Sequence, residues 1–225
     1  MKRSLAYLPE HKRRQLKLIR RIILEKMAVE KKNLDCSRTF DYWPSTEKNM
    51  SCKSVDGQSD IVQFFNAAES GDAQGLLALI QANPRLLNQK NQDNQNALFL
   101  AIGGGDLQCV KILIEQGIET SSTDNRGWTA LHEATYNGTI EMVKLLLARN
   151  INSNARDNDG VTPLHWPCAD GWDECVKVLL QSGADPLVKD KHGRDCFDWA
   201  KHNHNKKTEK KVTSLLRQYG NPGQP

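Results

Sequence analysis

Aromatic residues and long apolar runs are scarce in this sequence. Of its 225 residues, 6% are aromatic and 38% are hydrophobic. This is little for one large globular core, so we expect a thin, elongated fold rather than a bulky α/β enzyme. The uncharged stretches are too short or too polar to span a bilayer. Arg20 and Arg21 interrupt the apolar run near the N-terminus and no small-residue cleavage site follows, which argues against a secretory signal.

The cysteines are too dispersed for a secreted scaffold held by disulfides. The six residues are Cys36, Cys52, Cys109, Cys168, Cys175 and Cys196. Thiols of this kind persist in reducing compartments, so we expect a protein of the cytoplasm, the nucleus or both.

Charge is distributed unevenly along the chain, although the net charge is only +4. Residues 1–32 carry 11 Lys or Arg and 3 Asp or Glu, residues 33–200 carry 14 and 23, and residues 201–225 carry 6 and 1. The three segments therefore hold +8, −9 and +5. The acidic middle segment argues against a body that binds duplex nucleic acid and suits a basic partner. The basic ends suit an anionic partner or a nuclear-import receptor.

The strongest pattern is an internal repeat with a period of 33 residues. A fixed period of this length indicates a solenoid of stacked units. The step relates Leu98, Leu131, Leu164 and Phe197; Ala101, Ala134 and Ala200; Val110, Val143 and Val176; Leu113, Leu146 and Leu179; Gly105, Gly138 and Gly171; and Gly127, Gly160 and Gly193.

Each unit combines a polar turn with two short helices. The turn reads Asp-Asn-Arg-Gly at 124–127 and Asp-Asn-Asp-Gly at 157–160, and its Gly permits a positive φ. Thr129 and Thr162 precede the first helix, and the second helix carries its apolar residues at helical spacing. Residues that accept the left-handed conformation end the second helix: Gly117, Asn150 and Gly183.

Four strings carry this pattern: GWTALHEA at 127–134, GVTPLHW at 160–166, LLLARNINSNARDNDG at 145–160 and LLQSGADPLVKDKHG at 179–193. They resemble the ankyrin repeat, and the resemblance covers about residues 60–220. It implies L-shaped units, each a β-hairpin finger followed by two antiparallel helices, stacked with a concave face. The predicted fold class is therefore a mainly α ankyrin-repeat solenoid, preceded by a basic N-terminal helix.

The array divides into five units, namely 60–90, 91–123, 124–156, 157–189 and 190–220. Phe99 and Asp198 replace the His of the other units, so the units that hold them should lack that hydrogen-bonding side chain. Pro163 suits a first helical turn, whereas Pro167 falls inside a short helix and should distort it. In the last unit the apolar pattern resumes three residues late, so we expect the polar insert 202–211 to loop out.

The chain before the array has a separate character. The stripe Leu16, Ile19, Ile23 and Met27 predicts a basic amphipathic helix within residues 1–32. The sequence leaves several alternatives open for this helix. It packs on the array or lies free in solvent, it carries a nuclear-import signal, or it binds a membrane surface or a partner helix. We expect residues 33–59 to be a flexible linker and residues 221–225 a disordered tail. The candidate import residues are Lys12, Arg13, Arg14, Arg20 and Arg21.

The sequence offers no arrangement typical of catalysis. In ankyrin-like units, His132 and His165 would hydrogen-bond neighbouring backbone rather than act as bases or ligands. The spacing of His165, Cys168 and Cys175 matches no zinc module. Residues 103–105 lack the Lys-Ser/Thr sequel of a phosphate loop, and no Gly-x-Ser-x-Gly or His-Glu-x-x-His motif occurs. We therefore expect no enzyme, cofactor, metal or small-molecule substrate.

The resemblance places a binding surface on the finger tips and the concave faces of the first helices. There Trp128 and Tyr136 should form an exposed aromatic wall, and Trp166 and Trp199 should lie side by side. With Trp128 and Glu133 both replaced by Ala, binding should be lost while stability is kept. Acidic residues on this face predict a basic, extended peptide as the ligand. The predicted contact residues are Asp124, Asn125, Arg126, Trp128, Glu133, Tyr136, Asn137, Asp157, Asp159, Trp166, Asp170 and Trp199, with further exposed finger positions at Gln92, Asp93, Lys191, His192 and Arg194.

The predicted function is a non-enzymatic protein-interaction module or adaptor, acting as a monomer. A histone-tail reader is one alternative, since Asp124, Trp128 and Glu133 match such arrays, although Trp166 and Tyr136 do not. A phosphatase-targeting subunit is a second alternative, although this sequence does not contain the basic-Val-x-Phe docking motif of such subunits. A ubiquitin-ligase adaptor is a third, although no cullin-recruiting box follows the array. The basic ends leave open a contact with nucleic acid or, for the N-terminal helix, a membrane.

Overall fold

The fold is built from short helices joined by tight turns. A computed structural model of the chain describes residues 58–202 and 205–219, which contain ten α-helices and, between the first two pairs, a single 3₁₀ turn at Pro84–Leu86. The helices are α1 (Gln58–Ser70), α2 (Ala73–Ala82), α3 (Ala97–Gly104), α4 (Leu107–Glu115), α5 (Ala130–Tyr136), α6 (Ile140–Leu147), α7 (His165–Asp170), α8 (Asp173–Gln181), α9 (Cys196–Ala200) and α10 (Lys206–Tyr219).

Several predictions lie outside the described residues. These are the basic N-terminal helix within residues 1–32, most of the linker 33–59 and the tail 221–225. The same holds for the candidate import residues Lys12, Arg13, Arg14, Arg20 and Arg21.

The helices form two layers with the core between them. The odd-numbered helices contact one another in chain order from α1 to α9, and the even-numbered helices do so from α2 to α10. The apolar residues repeated at 33-residue spacing pack into the core, and Leu98, Leu131 and Leu164 are fully buried. Each helix pair therefore packs on its neighbours, as expected of a solenoid.

The fingers connect consecutive units through backbone hydrogen bonds. The N–H of Asn125 donates to the carbonyl of Asp93 at 3.0 Å, and the N–H of Lys191 donates to that of Asp159 at 2.8 Å. Asn94 adopts φ 61°, the left-handed conformation that Gly127 adopts one unit later. Within the described residues the predicted β-hairpins are turns, marked only by an isolated bridge between residues 123 and 129.

The histidine that repeats at positions 132 and 165 serves the fold. His132 forms a capping box with Thr129, whose N–H donates to its Nδ1 at 3.1 Å. Nε2 of His132 lies 3.1 Å from the carbonyl of Val161 in the next unit, so it carries the proton and donates. Burial lowers the pKa of His132 and of His165, which keeps both rings neutral. The Nδ1 of His165 likewise accepts the N–H of Thr162 at 3.0 Å, so both histidines hydrogen-bond neighbouring backbone as predicted.

The first helix of unit 157–189 is shortened at its beginning. Pro163 lies in the turn before α7 rather than inside the helix, because α7 starts only at His165. Pro167 is then the third helical residue, where an N–H has no partner within a helix. The proline therefore occupies a position that costs no helical hydrogen bond, and the predicted distortion takes the form of this late start.

Two expectations about the last unit are wrong. Asp198 does hydrogen-bond in the place of the histidine, because it forms a capping box with Asp195. The insert 202–211 does not loop out as a whole, since α10 already begins at Lys206. The amphipathic pattern explains this result. Val212 and Leu216 are fully buried on one face of α10, and the polar residues from Lys206 onwards belong to the same helix.

Candidate functional site

The predicted aromatic residues do come together on the finger side of the first helices. Ring centroids lie 5.2 Å apart for Trp128 and Tyr136, 4.9 Å for Tyr136 and Trp166, and 5.3 Å for Trp166 and Trp199. All three contacts are edge-on, the geometry that aromatic quadrupoles favour. Phe99 joins the same cluster from the preceding unit. We call these five residues the aromatic strip.

The expected exposure of this strip is wrong for its first members. Trp128 is 6% exposed and Tyr136 8% exposed, whereas Trp166 and Trp199 are partly exposed. The next unit covers Trp128, whose indole N–H donates to Oδ2 of Asp157 at 2.9 Å. Trp128 and Tyr136 therefore belong to the packing between units rather than to an open wall.

Two predicted acidic contacts are also buried. Asp124 closes its own finger, because its Oδ1 accepts the N–H groups of Arg126 and Trp128, both at 2.9 Å. Its Oδ2 lies 2.7 Å from the guanidinium of Arg126, which stacks 3.9 Å from the Trp128 ring centre. Glu133 is 3% exposed, accepts from Asn137 and lies 3.6 Å from Arg126. Much of the predicted negative charge is therefore balanced inside the protein.

A second cluster of the same kind closes the last finger. Oδ2 of Asp190 accepts from Nε of Arg194 at 2.8 Å and from the indole N–H of Trp199 at 3.0 Å. Burial alone would raise the pKa of Asp190, but the hydrogen bonds from Arg194, Trp199 and the His192 backbone together lower it well below its usual range. The guanidinium of Arg194 stacks 5.2 Å from the Trp199 ring centre. This cluster is not predicted from the sequence, because its members are separated: Asp190 and Arg194 lie on the finger and Trp199 lies on α9.

The remaining predicted contact residues present polar groups to solvent. Asn125, Asp159 and Asp170 are exposed, while Arg126, Asn137, Asp157, Trp166 and Trp199 are partly exposed. Asp159 pairs with Lys191 at 3.1 Å, and both side chains are mostly exposed, so this pair contributes little to stability. A partner can exchange such a pair for contacts of its own.

The described residues offer little for metal or thiol chemistry. Among them, no three His, Cys, Asp or Glu side chains are grouped closely enough to hold a metal ion. Their cysteines are buried free thiols, and burial raises the pKa of Cys109 to about 12 and of Cys175 to about 11. No helix in this part of the chain has both the length and the apolar character needed to cross a membrane.

Comparison with known proteins agrees with this geometry. The family model for ankyrin repeats (3 copies) matches residues 64–157 and 117–190, which together exceed half of the chain. Protein phosphatase 1 regulatory subunit 27 of Mus musculus is 37% identical over 82 residues, 36% of this chain and 53% of that protein. Protein HOS4 of Saccharomyces cerevisiae is 36% identical over 79 residues, 35% of this chain and 7% of that protein.

A plant protein extends the range of relatives. Probable E3 ubiquitin-protein ligase XBOS32 of Oryza sativa subsp. japonica is 36% identical over 73 residues, 32% of this chain and 15% of that protein. The matches span about half or less of each of these relatives. Ankyrin repeats are protein–protein interaction modules, and this chain belongs to the ankyrin-repeat family.

Proposed function

We propose that this chain is a non-enzymatic adaptor that binds an extended segment of a partner protein. The segment lies across the finger tips and first helices of the three units between residues 124 and 220. The observation that carries this proposal is that Trp166 and Trp199 of the aromatic strip remain partly exposed, while Asp159 and Asp170 of the same unit as Trp166 are exposed. Aromatic side chains within a polar rim are the usual composition of binding hot spots.

The exposed carboxylates favour a basic residue in the segment. Asp159 and Asp170 are exposed, and the pair of Asp159 with Lys191 is open to solvent, whereas Asp124 and Glu133 are buried within the array. The long apolar stem of a Lys or Arg from the partner can cover Trp166 while its charge meets a carboxylate. The preference for basic residues therefore rests on fewer acidic groups than the sequence indicated.

Site-specific photocrosslinking tests the location of this surface. A photoreactive residue at Asn125 or at Asp170 should capture the same partner in cells. The control positions are Lys111 and Lys177, which are also exposed but lie on α4 and α8, in the other helix layer. Capture from the control positions alone, or equally from all four, would contradict the proposal.

A charge-matched pair of variants tests the chemistry. Replacing Asp159 and Asp170 by Asn should weaken capture of the crosslinked partner. Replacing Glu115 and Glu141 by Gln removes the same charge from exposed positions on α4 and α6 and should leave capture unchanged. Equal losses in both variants would show that only the net charge of the domain matters.

A second candidate, an adaptor subunit of a phosphatase or of a ubiquitin ligase, is favoured by two relatives. Their names describe a protein phosphatase 1 regulatory subunit and a probable E3 ubiquitin-protein ligase. Co-purification of a phosphatase catalytic subunit or of ligase components with the tagged chain would support this candidate. Their absence, with another partner present at equal yield, would remove it.

We also propose that the chain acts as a monomer in the cytoplasm or the nucleus. The dispersed cysteines and the basic segment 1–32 support the location. A fluorescent fusion with and without residues 1–32 tests it, since loss of nuclear signal on truncation would assign import to that segment. Sedimentation of the purified chain tests the monomer.

A further inference from the structure

We propose that the last finger, residues 189–194, receives an acidic side chain from the same bound segment. This inference rests on the proposed function and adds a second recognition element to it. The partner segment then carries a basic residue for unit 157–189 and an acidic residue for the neighbouring unit.

The charge of the fingers changes sign at the end of the array. The equivalent finger residues 156–161 hold Arg156 against Asp157 and Asp159, a net charge of −1. Finger 189–194 holds three cations, Lys189, Lys191 and Arg194, against the single carboxylate Asp190, a net charge of +2 with its His neutral. One bound segment that crosses both fingers therefore meets opposite charges in succession, and complementary charges fix its register.

Arg194 is held in place for an anion. Asp190, whose carboxylate is 1% exposed, binds Nε and one terminal nitrogen of Arg194, both at 2.8 Å. The Arg194 side chain nevertheless stays 41% exposed. A guanidinium has five N–H groups in a fixed plane, so N–H groups that Asp190 does not use remain for a second carboxylate. Ordering this side chain in advance reduces the entropy lost on binding.

The corresponding cluster at Arg126 lacks this property. The Arg126 guanidinium lies 2.7 Å from Asp124 and 3.6 Å from Glu133, so two carboxylates surround one cation. A further anion would meet net negative charge there. The arginine of the last finger is therefore the one of these two that suits an acidic ligand.

Lys191 links the two halves of the proposed contact. Its amino group lies 3.1 Å from Asp159, and the two side chains are 59% and 75% exposed. Breaking so exposed a pair costs little. A segment with both charges can replace it by two new pairs, its basic residue on Asp159 and its acidic residue on Lys191 and Arg194.

The spacing of the two charges in the segment follows from the repeat. Neighbouring fingers are joined by a direct hydrogen bond of 2.8 Å between Lys191 and Asp159. Packed helices of adjacent units lie about 8–10 Å apart. An extended chain advances about 3.3 Å per residue. The basic and acidic residues of the segment should therefore lie about three positions apart.

Selection from a library of displayed random 12-residue peptides tests the inference. Peptides that bind the wild-type chain should be enriched in Lys or Arg and in Asp or Glu about three positions away. The variant with Lys189 and Lys191 replaced by Gln retains Arg194, so it should keep the basic preference and show a weaker acidic one. The control variant, with Lys111 and Lys177 replaced by Gln, removes the same charge from exposed sites on α4 and α8 and should keep both.

Affinity measurements on a selected peptide complete the test. Fluorescence anisotropy should show about fivefold weaker binding to the Lys189→Gln, Lys191→Gln variant at low salt, and no change for the control. Replacing the acidic residue of the peptide by its amide should weaken binding to the wild type similarly. It should have a smaller effect on the variant, because the two changes remove part of the same interaction.

The outcomes separate this inference from the proposed function. Failure to enrich any peptide would remove the proposed function itself. Basic enrichment without acidic enrichment would overturn only the inference, and so would acidic enrichment that is undiminished in the Lys189→Gln, Lys191→Gln variant. Binding of a single-stranded oligonucleotide that depends on Lys189 and Lys191, without acidic peptide enrichment, would overturn it in favour of a nucleic-acid contact.

Discussion

Replacement of Trp128 by Ala should destabilise the array rather than spare it. Trp128 is only 6% exposed, and its ring centroid lies 5.2 Å from that of Tyr136 and 5.8 Å from that of Trp166. Truncation of a buried Trp to Ala costs about 3–5 kcal/mol. For a domain of this size, that corresponds to a fall in the melting temperature of about 10 °C. The array should lose this amount whether or not a partner is present.

Urea denaturation followed by circular dichroism at 222 nm measures the effect. Tryptophan fluorescence is unsuitable, because the substitution removes one of the fluorophores. Trp128→Phe should cost only about 1 kcal/mol, since it keeps a ring and loses one hydrogen bond, to the half-exposed Asp157, which water can replace. Leu187→Ala is the control, because Leu187 is 52% exposed. A Trp128→Ala variant as stable as this control would refute the assignment of Trp128 to the interior.

Three further predictions concern a close glycine contact, the buried histidines and the buried thiols. Gly104→Ala should lower the free energy of unfolding by about 1–3 kcal/mol, because a Cβ there collides with the backbone of Glu69. Gly103→Ala should be neutral or stabilising, since its Cβ meets only a side chain at 3.7 Å. Urea midpoints that rank the two variants the other way would contradict this. Because the pKa values of His132 and His165 are lowered, the folded chain binds fewer protons than the unfolded chain near pH 6. The free energy of unfolding should therefore fall as the pH drops through about 6.5 towards 5. A profile that stays flat over this range would show that folding does not perturb the two rings. In a variant with Cys36 and Cys52 replaced by Ser, the four buried thiols should react with a thiol reagent only on unfolding; fast labelling of the native chain would contradict their burial.

The repeat itself could be predicted from the sequence because its signal is periodic and local. The slots of Leu98, Leu131 and Leu164 follow from the 33-residue step, and all three residues are fully buried. The turns follow from residues that accept a positive φ, such as Gly127 and Asn150, and both adopt it. Backbone preferences and apolar spacing need no knowledge of neighbouring units.

The environment of each predicted contact residue could not be predicted in the same way. Trp128 occupies a finger position that would face solvent in an isolated unit, but Asp157 of the next unit accepts its indole N–H. Asp124 is predicted to be an acidic surface contact, whereas it closes its own turn and pairs with Arg126, as Asp190 does with Arg194. Such pairings depend on side-chain packing across units, which spacing alone does not specify.

The last unit shows a third limit of the sequence pattern. The shift in apolar spacing before Val212 is compatible with a loop or with an earlier start of the helix. The lysine-rich stretch from Lys206 favours the helix, since Lys and Glu are good helix formers, and ion pairs such as that of Lys206 with Glu209 at 2.8 Å support it. Helix propensity and the buried face of Val212 and Leu216 both favour the helix over a loop.

Hydrogen–deuterium exchange of the chain with and without a selected peptide tests the central claim most directly. The claim is that a protein segment binds across the fingers and the first helices. It predicts slower exchange in residues 157–161, 165–170 and 189–194 on binding, with α4, α6 and α8 unchanged. Slower exchange confined to α4, α6 and α8 would place the binding surface in the other helix layer and contradict the claim.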